Sequence, residues 1–194
     1  MWPSLEFIGT DLGGKTLGLV GCGRIGRAMA RRAAGFGMDL IYYDPYVAEE
    51  TVADLGVRAI DFEALLATSD LISIHCILTP ETRGLFDAQA FGRMKESAYL
   101  IDVSRGAIID EDALVDALTH GSIAGAGIDV FPVEPLPPGY PLLTLDNVIL
   151  TSHLAWYTTE AEKRLADECM DRLLEVLDGK RPRNIKNAAD LGLD

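Results

Sequence analysis

Residues 16 to 44, TLGLVGCGRIGRAMARRAAGFGMDLIYYD, set Gly21, Gly23 and Gly26 in a GxGxxG run between two apolar stretches and end on Asp44. Alone, such a run is a weak signal, because glycines recur in many tight turns. Here it follows an expected strand and opens an expected helix. In that setting Gly21 makes the tight turn, Gly23 lets the backbone approach a pyrophosphate, and Gly26 lets helix and strand pack closely. Asp44 arrives near the twenty-residue offset at which a carboxylate holds the adenosine ribose hydroxyls. Pro45, not a cation, follows it, so the dinucleotide expected is NAD and not its 2′-phosphorylated form. The bland alternative is a strand-to-helix corner with no ligand. Three further reactive side chains follow in the order Arg105, Glu134 and His153. Taken singly they read as a surface arginine, a solvated loop acid and a satisfied histidine. Each, however, comes after one of three successive expected strands, whose carboxyl ends face the crevice where open α/β sheets bind ligands.

The elements that must position these groups are six short apolar runs at 16–20, 39–44, 71–76, 99–104, 125–130 and 148–152, all expected as buried strands. Helical patterns fall between them at 24–37, 47–56, 61–69 and 110–121. Strands alternating with helices predict βαβ units, hence an α/β fold with a doubly wound parallel sheet and helices on both faces. A last helix is expected over 158–180, with a capping box at Thr159 and Glu162 and a stop at Gly179. Its Leu165, Cys169, Leu173 and Leu177 form one stripe, so it is expected to pack on something. The proline-rich FPVEPLPPGYPLL at 131–143 can only be a connector. The acids of DEDALVD open a helix, where carboxylates suit the N-terminal dipole, and His120 closes it ahead of a capping glycine.

Composition removes several function classes. Seventeen Lys and Arg against thirty Asp and Glu give a net charge of −13, which repels a phosphate backbone and an anionic membrane surface alike. Neither nucleic acid nor a membrane is therefore expected as a partner. Cys22, Cys76 and Cys169 stand far apart, without CxxC or Cys/His clustering, so no zinc or other metal site and no disulfide framework is expected, and a reducing cytoplasm fits. No window reaches the length of a membrane span.

Long motifs in a fixed order then identify a resemblance: DLGGKTLGLVGCGRIGRAMA, YYDP, LISIHCILTPETRGLF, LIDVSRGAIIDEDALVDAL, GAGIDVFPVEPLPP, NVILTSHLAWYT and RPRNIKN. Over nearly its whole length the chain resembles the Rossmann nicotinamide-binding domain of the D-isomer-specific 2-hydroxyacid dehydrogenases. The resemblance implies reduction of a 2-oxo acid, or oxidation of a D-2-hydroxy acid, with NAD. His153 would then be the general acid, Glu134 its hydrogen-bonded partner, which favours the charged ring and fixes it, and Arg105 the planar fork on the substrate carboxylate. The backbone at Arg24 and Ile25 would meet the pyrophosphate. His75 and Thr79 would line the adenosine side, while Val103, Ser104, Asp129 and the backbone after His153, at Ala155, would hold the nicotinamide. Glutamate at 134 argues against formate dehydrogenases, which carry glutamine there. HLAWYT resembles the glycerate and hydroxypyruvate reductase branch.

This sequence departs from the family pattern at Ile77 and Ser152, where proline is usual, and at Asp102, where asparagine is frequent. Asp102 puts negative charge near Arg105 and is expected to weaken its hold on a carboxylate. The resemblance also implies a substrate domain upstream, absent here, since Trp2 and Gly9 match a pair inside a family motif. Residues 1–180 would form the NAD-binding domain, and 181–194 a tail returning to the missing lobe. Exposed apolar surface is expected near residues 1–10, and a homodimer in the full-length form. The other reading is an NAD(H)-binding module without catalysis, a degenerate fragment or a redox sensor akin to the carboxy-terminal-binding corepressors.

Overall fold

The computed structural model describes residues 9–183, together with 185 and 188. Two units divide the chain, residues 1–153 and 154–194. In the first, β1 (Thr16–Val20), β2 (Asp39–Tyr43), β3 (Arg58–Ala59), β4 (Leu71–Ile74), β5 (Tyr99–Asp102), β6 (Gly125–Ile128) and β7 (Val148–Leu150) build one sheet in the order β3-β2-β1-β4-β5-β6-β7. Every pairing is parallel, and the order reverses between β1 and β4. The sheet thus has seven strands among the described residues, where six were expected. The added strand, β3, is two residues long and lies at the edge, too short to show a period of its own.

Side-chain alternation along the strands sorts the core onto two faces. From β1, Leu17 and Leu19 join Ala30 and Ala33 of α1 (Arg24–Ala34), while Val20 joins the larger cluster on the opposite face. That cluster gathers Leu65 of α2 (Phe62–Thr68), Phe91 of α3 (Ala88–Arg93), Leu114 of α4 (Glu111–Thr119), and Ile72, Leu100 and Ile128 from the strands. Each fully buried large apolar side chain contributes about 1.5–3 kcal/mol. Gly18 keeps β1 flush with α2, because a Cβ there would lie 2.3 Å from Ser69 Oγ and 2.8 Å from Leu65.

Short helices form where a side chain accepts from their first amides. Asp61 caps α2 through Ala64 N at 2.8 Å, Asp87 caps α3 through Gln89 N and Ala90 N, and Asp110 caps α4 through Ala113 N at 3.2 Å. α3 was not foreseen from the sequence, since six residues show less than two turns of periodicity. The helix expected over 47–56 is instead two 3₁₀ turns, Glu49–Thr51 and Ala53–Leu55, interrupted at Val52 and ended by Gly56 at φ +63°. α4 ends at His120, followed by Gly121 at φ +71°, as the sequence suggested.

In the second unit α5 (Thr159–Leu177) is capped by Thr158, whose Oγ1 accepts from Ala161 N at 3.1 Å. The cap therefore falls one residue before the expected Thr159. Gly179, at φ +70°, donates to Val176 O. The stripe Leu165, Cys169, Leu173 and Leu177 is exposed, and α5 has no buried residue. Trp2 and most of the expected apolar surface at 1–10 lie outside the described residues, as does much of the 181–194 tail.

Candidate active site

The glycine corner joins β1 to α1 next to the point where the strand order reverses. Gly21 sits at φ +96°, and a Cβ on it would meet Cys76 N at 2.5 Å, so the turn needs both the left-handed backbone and the missing side chain. A Cβ on Gly26 would fall 2.2 Å from Gly21 O, which is why the first turn of α1 can lie against the loop. Gly23 is different, because nothing lies within 4 Å of its would-be Cβ. That space is the cradle a pyrophosphate needs. α1 opens without a side-chain cap and without an acid in its first turn, leaving the leading amides, at Arg24 and Ile25, for an anion.

Asp44, just past β2, ties this corner together. Its Oδ2 accepts from Cys22 N at 2.8 Å and its Oδ1 from Tyr46 N at 2.9 Å. Asp44, Gly21 and Gly23 line a cleft of about 300 Å³ together with His75 and Thr79. No Lys or Arg is among the described residues lining it. The site therefore fits a dinucleotide whose ribose bears free hydroxyls. His75 leaves β4 with one ring nitrogen, Nε2, 3.0 Å from the buried Ser73 Oγ, while Nδ1 has no partner among the described residues. Burial pushes the imidazole down to about 4, so it is neutral near pH 7. Thr79 is fixed in a small turn, its N–H donating to Thr82 Oγ1 at 2.8 Å. Cys22, in the loop, is fully buried, and burial raises its thiol pKa, which leaves it unreactive.

Beyond β5, Val103 and Ser104 are half-buried and Arg105 is exposed, with its Nη1 donating to Ser104 O at 2.6 Å. Beyond β6, Asp129 is buried and accepts from Thr151 Oγ1 at 2.5 Å. Its carbonyl accepts from His153 N at 2.8 Å, which holds His153 at φ +59°. A left-handed backbone at a non-glycine residue costs about 1–3 kcal/mol and persists only where the surroundings impose it. Here it turns the ring toward Glu134, whose Oε2 lies 2.9 Å from His153 Nδ1 and whose Oε1 accepts from Phe131 N at 2.9 Å. The hydrogen bond to His153, then that from Phe131, holds the Glu134 carboxyl below its ordinary value. With Nδ1 engaged, Nε2 is left to exchange a proton with a ligand. The side chains of His153 and Glu134 are 43% and 37% exposed, so a substrate can reach the ring.

Two groupings therefore emerge from the sequence-derived residues: Gly21, Gly23, Asp44, His75 and Thr79 around one cleft, and Asp129, Glu134 and His153 around one loop. Ala155 belongs to the second unit. Sequence reasoning missed the residue that seats Arg105 near this loop. A Cβ on Gly106 would lie 2.3 Å from the Phe131 carbonyl carbon and 2.6 Å from Pro132 N, so the arginine loop rests directly on the backbone that binds Glu134. The glycine of SRG was the available signal. Among the described residues no group of three or more His, Cys, Asp or Glu is placed to hold a metal ion, and no helix is long and apolar enough to cross a membrane.

Residues 1–155 match the family described as D-isomer specific 2-hydroxyacid dehydrogenase, NAD binding domain. A glyoxylate reductase of Korarchaeum cryptofilum is 45% identical over 186 residues, covering 96% of this chain and 56% of the relative. A D-3-phosphoglycerate dehydrogenase of Archaeoglobus fulgidus is 39% identical over 186 residues, covering 96% of this chain and 35% of that protein. Among solved structures, an NAD-complexed D-isomer-specific 2-hydroxyacid dehydrogenase from Lactobacillus delbrueckii superposes with a TM-score of 0.84 at 32% identity, over 96% of this chain and 60% of that one. The chain thus spans about half the length of its leading curated relative.

Proposed function

Because the chain belongs to the D-isomer-specific 2-hydroxyacid dehydrogenase family, by its NAD-binding domain, we propose that it is the cofactor-binding part of an oxidoreductase interconverting a 2-oxo acid and a D-2-hydroxy acid. The observation that carries this reading is the 2.9 Å contact between His153 Nδ1 and Glu134 Oε2, which a bare cofactor-binding module would not require. When bound, the nicotinamide supplies or takes the hydride at the substrate's C2. His153 gives its Nε2 proton to the carbonyl oxygen during reduction and recovers it during oxidation. Glu134 accepts from Nδ1 and fixes the ring and its tautomer. Arg105 pairs with the substrate carboxylate in two parallel hydrogen bonds, aligning the carbonyl with His153. Arg24, Ile25 and Gly23 would hold the pyrophosphate, Asp44 the ribose hydroxyls, His75 and Thr79 the adenosine, and Val103, Ser104, Asp129 and Ala155 the nicotinamide.

Glyoxylate is the first substrate to try, given the glyoxylate reductase among the relatives, with hydroxypyruvate next. The same reading takes residues 1–180 as the NAD-binding domain and 181–194 as a tail, and expects the full-length form to be a cytoplasmic homodimer without nucleic-acid or membrane partners. The test is NADH consumption by the purified chain with these two acids, run beside Arg105→Ala. Turnover that disappears in the variant is expected. NADH bound tightly but never oxidised would overturn the enzymatic reading for this chain and leave a binding module.

A further inference from the structure

Asp102, the last residue of β5, has 0% exposure. Its Oδ1 accepts from Ser104 N at 2.8 Å and from Ser104 Oγ at 2.6 Å, whereas Oδ2 is buried with no partner among the described residues. Ser104 then offers its carbonyl to the Arg105 guanidinium at 2.6 Å. One residue therefore links a buried acid to an exposed cation. On the β4 side, Ile74 is the register partner of Asp102, and Cys76 beyond it has its thiol pushed up to about 11, which keeps it neutral. On the β6 side the partner is Ile128, followed by Asp129, whose N–H donates to Asp102 O at 3.0 Å. Arg105 favours ionised Asp102 first through its backbone N–H and then, more weakly, through its charge.

The arrangement frustrates the ionised acid. A buried carboxylate with one oxygen unpaired is costly, and burial pushes Asp102 up to about 6 although Ser104 and Arg105 pull the other way. An anion seated on Arg105 would cancel the guanidinium field and add a like charge, removing part of what holds the acid ionised. We propose that Asp102 takes up a proton when Arg105 binds a small carboxylic anion and releases it when Arg105 is free, so that substrate capture is coupled to protonation of this buried acid. The proposal rests on Arg105 being the carboxylate grip. By reciprocity, protonation of Asp102 strengthens anion binding by the same factor. Asparagine at this position would hold the loop without that coupling, which makes Asp102 a positioning residue with a pH dependence of its own.

The test uses the full chain loaded with NADH and oxamate, an unreactive isostere of a 2-oxo acid. Oxamate affinity is measured from pH 5 to 8 in the wild type, Asp102→Asn and Arg105→Gln. His153 is common to the first two, so their ratio isolates Asp102. The expected ratio is close to one at pH 5, with the wild type weaker by on the order of tenfold at pH 8. A ratio constant across the range overturns the proposal. Carbon-13 carboxyl titration supplies the second readout, the resonance missing from Asp102→Asn being that of Asp102. Its midpoint is expected well above the ordinary carboxylate range, rising further with Arg105→Gln or with oxamate. A midpoint in the ordinary range, or one unmoved by Arg105→Gln, sinks the coupling itself. If Arg105→Gln moves the midpoint while oxamate neither moves it nor depends on Arg105, the carboxylate-grip reading has failed and the proposal falls with it. Should Asp102→Asn fail to fold, Asp102 is identified as the carboxyl resonance whose midpoint lies well above the ordinary carboxylate range and shifts with Arg105→Gln, and an unchanged midpoint on adding oxamate to the wild type overturns the proposal.

Discussion

Gly106 and Phe131 meet backbone to backbone: a single added Cβ on Gly106 would stand 2.5 Å from the Phe131 Cα. The loop after β5 and the loop after β6 are thereby fixed against each other, with Arg105 on one and the amide that binds Glu134 on the other. No side chain at the contact can swing away to relieve a clash. Gly106→Ala is therefore expected to destabilise by about 1–3 kcal/mol as the two loops are forced apart. Urea unfolding measures this, and a midpoint within error of the wild type would show that the loops are not in contact.

Two glycines of the corner, Gly26 and Gly23, are expected to separate by function. Gly26→Ala drives a methyl into Gly21 O and should lower stability, whereas Gly23→Ala meets nothing in the protein and should leave the unfolding midpoint within about 1 kcal/mol, the ordinary cost of a glycine-to-alanine change. NADH titration by fluorescence should show the reverse ranking per unit of stability lost, with Gly23→Ala weakening binding by placing its methyl in the cradle. Unchanged NADH affinity in Gly23→Ala would mean the cofactor does not approach there.

Glu134→Ala removes the partner of both His153 Nδ1 and Phe131 N. Turnover with glyoxylate is expected to fall by about 10²–10⁴ while NADH affinity changes little, since Glu134 lies outside the adenosine cleft. The Glu134 pKa is held below its ordinary 4.5. The clasp is thus fully present above that value and is lost only as pH falls through the depressed one, so its hydrogen bonds should survive at pH 5. A Glu134→Ala enzyme with wild-type turnover would remove Glu134 from the mechanism.

Asp102 and His75 should pull the stability profile in opposite directions. Asp102, raised from 3.8 to about 6, leaves the folded state holding more protons, so its favourable contribution is complete below 3.8 and fades as pH rises through 6, by about 3 kcal/mol. His75, lowered from 6.5 to about 4, does the reverse, contributing fully above 6.5 and losing about 3 kcal/mol as pH falls through 4. Relative to the wild type, Asp102→Asn should gain stability progressively from pH 4 to pH 7, and His75→Gln should gain it from pH 6.5 down to pH 4. Parallel profiles for the wild type and either variant would show that the substituted group does not titrate as stated.

The sheet was legible in the sequence because buried parallel strands write themselves as short apolar runs, and all six runs contain a strand. Their ends were less so. The runs at 71–76, 99–104 and 125–130 each extend two residues past the end of the ladder at Ile74, Asp102 and Ile128, where Cys76, Val103 and Val130 keep the apolar character going. His75, Val103, Ser104 and Asp129 therefore lie on the crevice loops and not in strands. Hydropathy averaged over a run does not mark that change, since one polar residue beside an apolar neighbour leaves the run apolar on average. The glycine corner could be read because its residues are local, within six positions. The Gly106–Phe131 contact could not, as it depends on which loops the folded sheet brings together.

Asp44 is held in place by the protein's own backbone. Two main-chain amides, from Cys22 and Tyr46, already grip one oxygen each, and each oxygen keeps a second lone pair. A ribose diol can then add its hydroxyls without evicting a resident donor, and the rotational freedom of that carboxylate was surrendered during folding, not at the encounter. Docking and departure of the adenosine end would accordingly need no rearrangement of this acid, so its share of the cofactor's affinity would come free of any ordering cost.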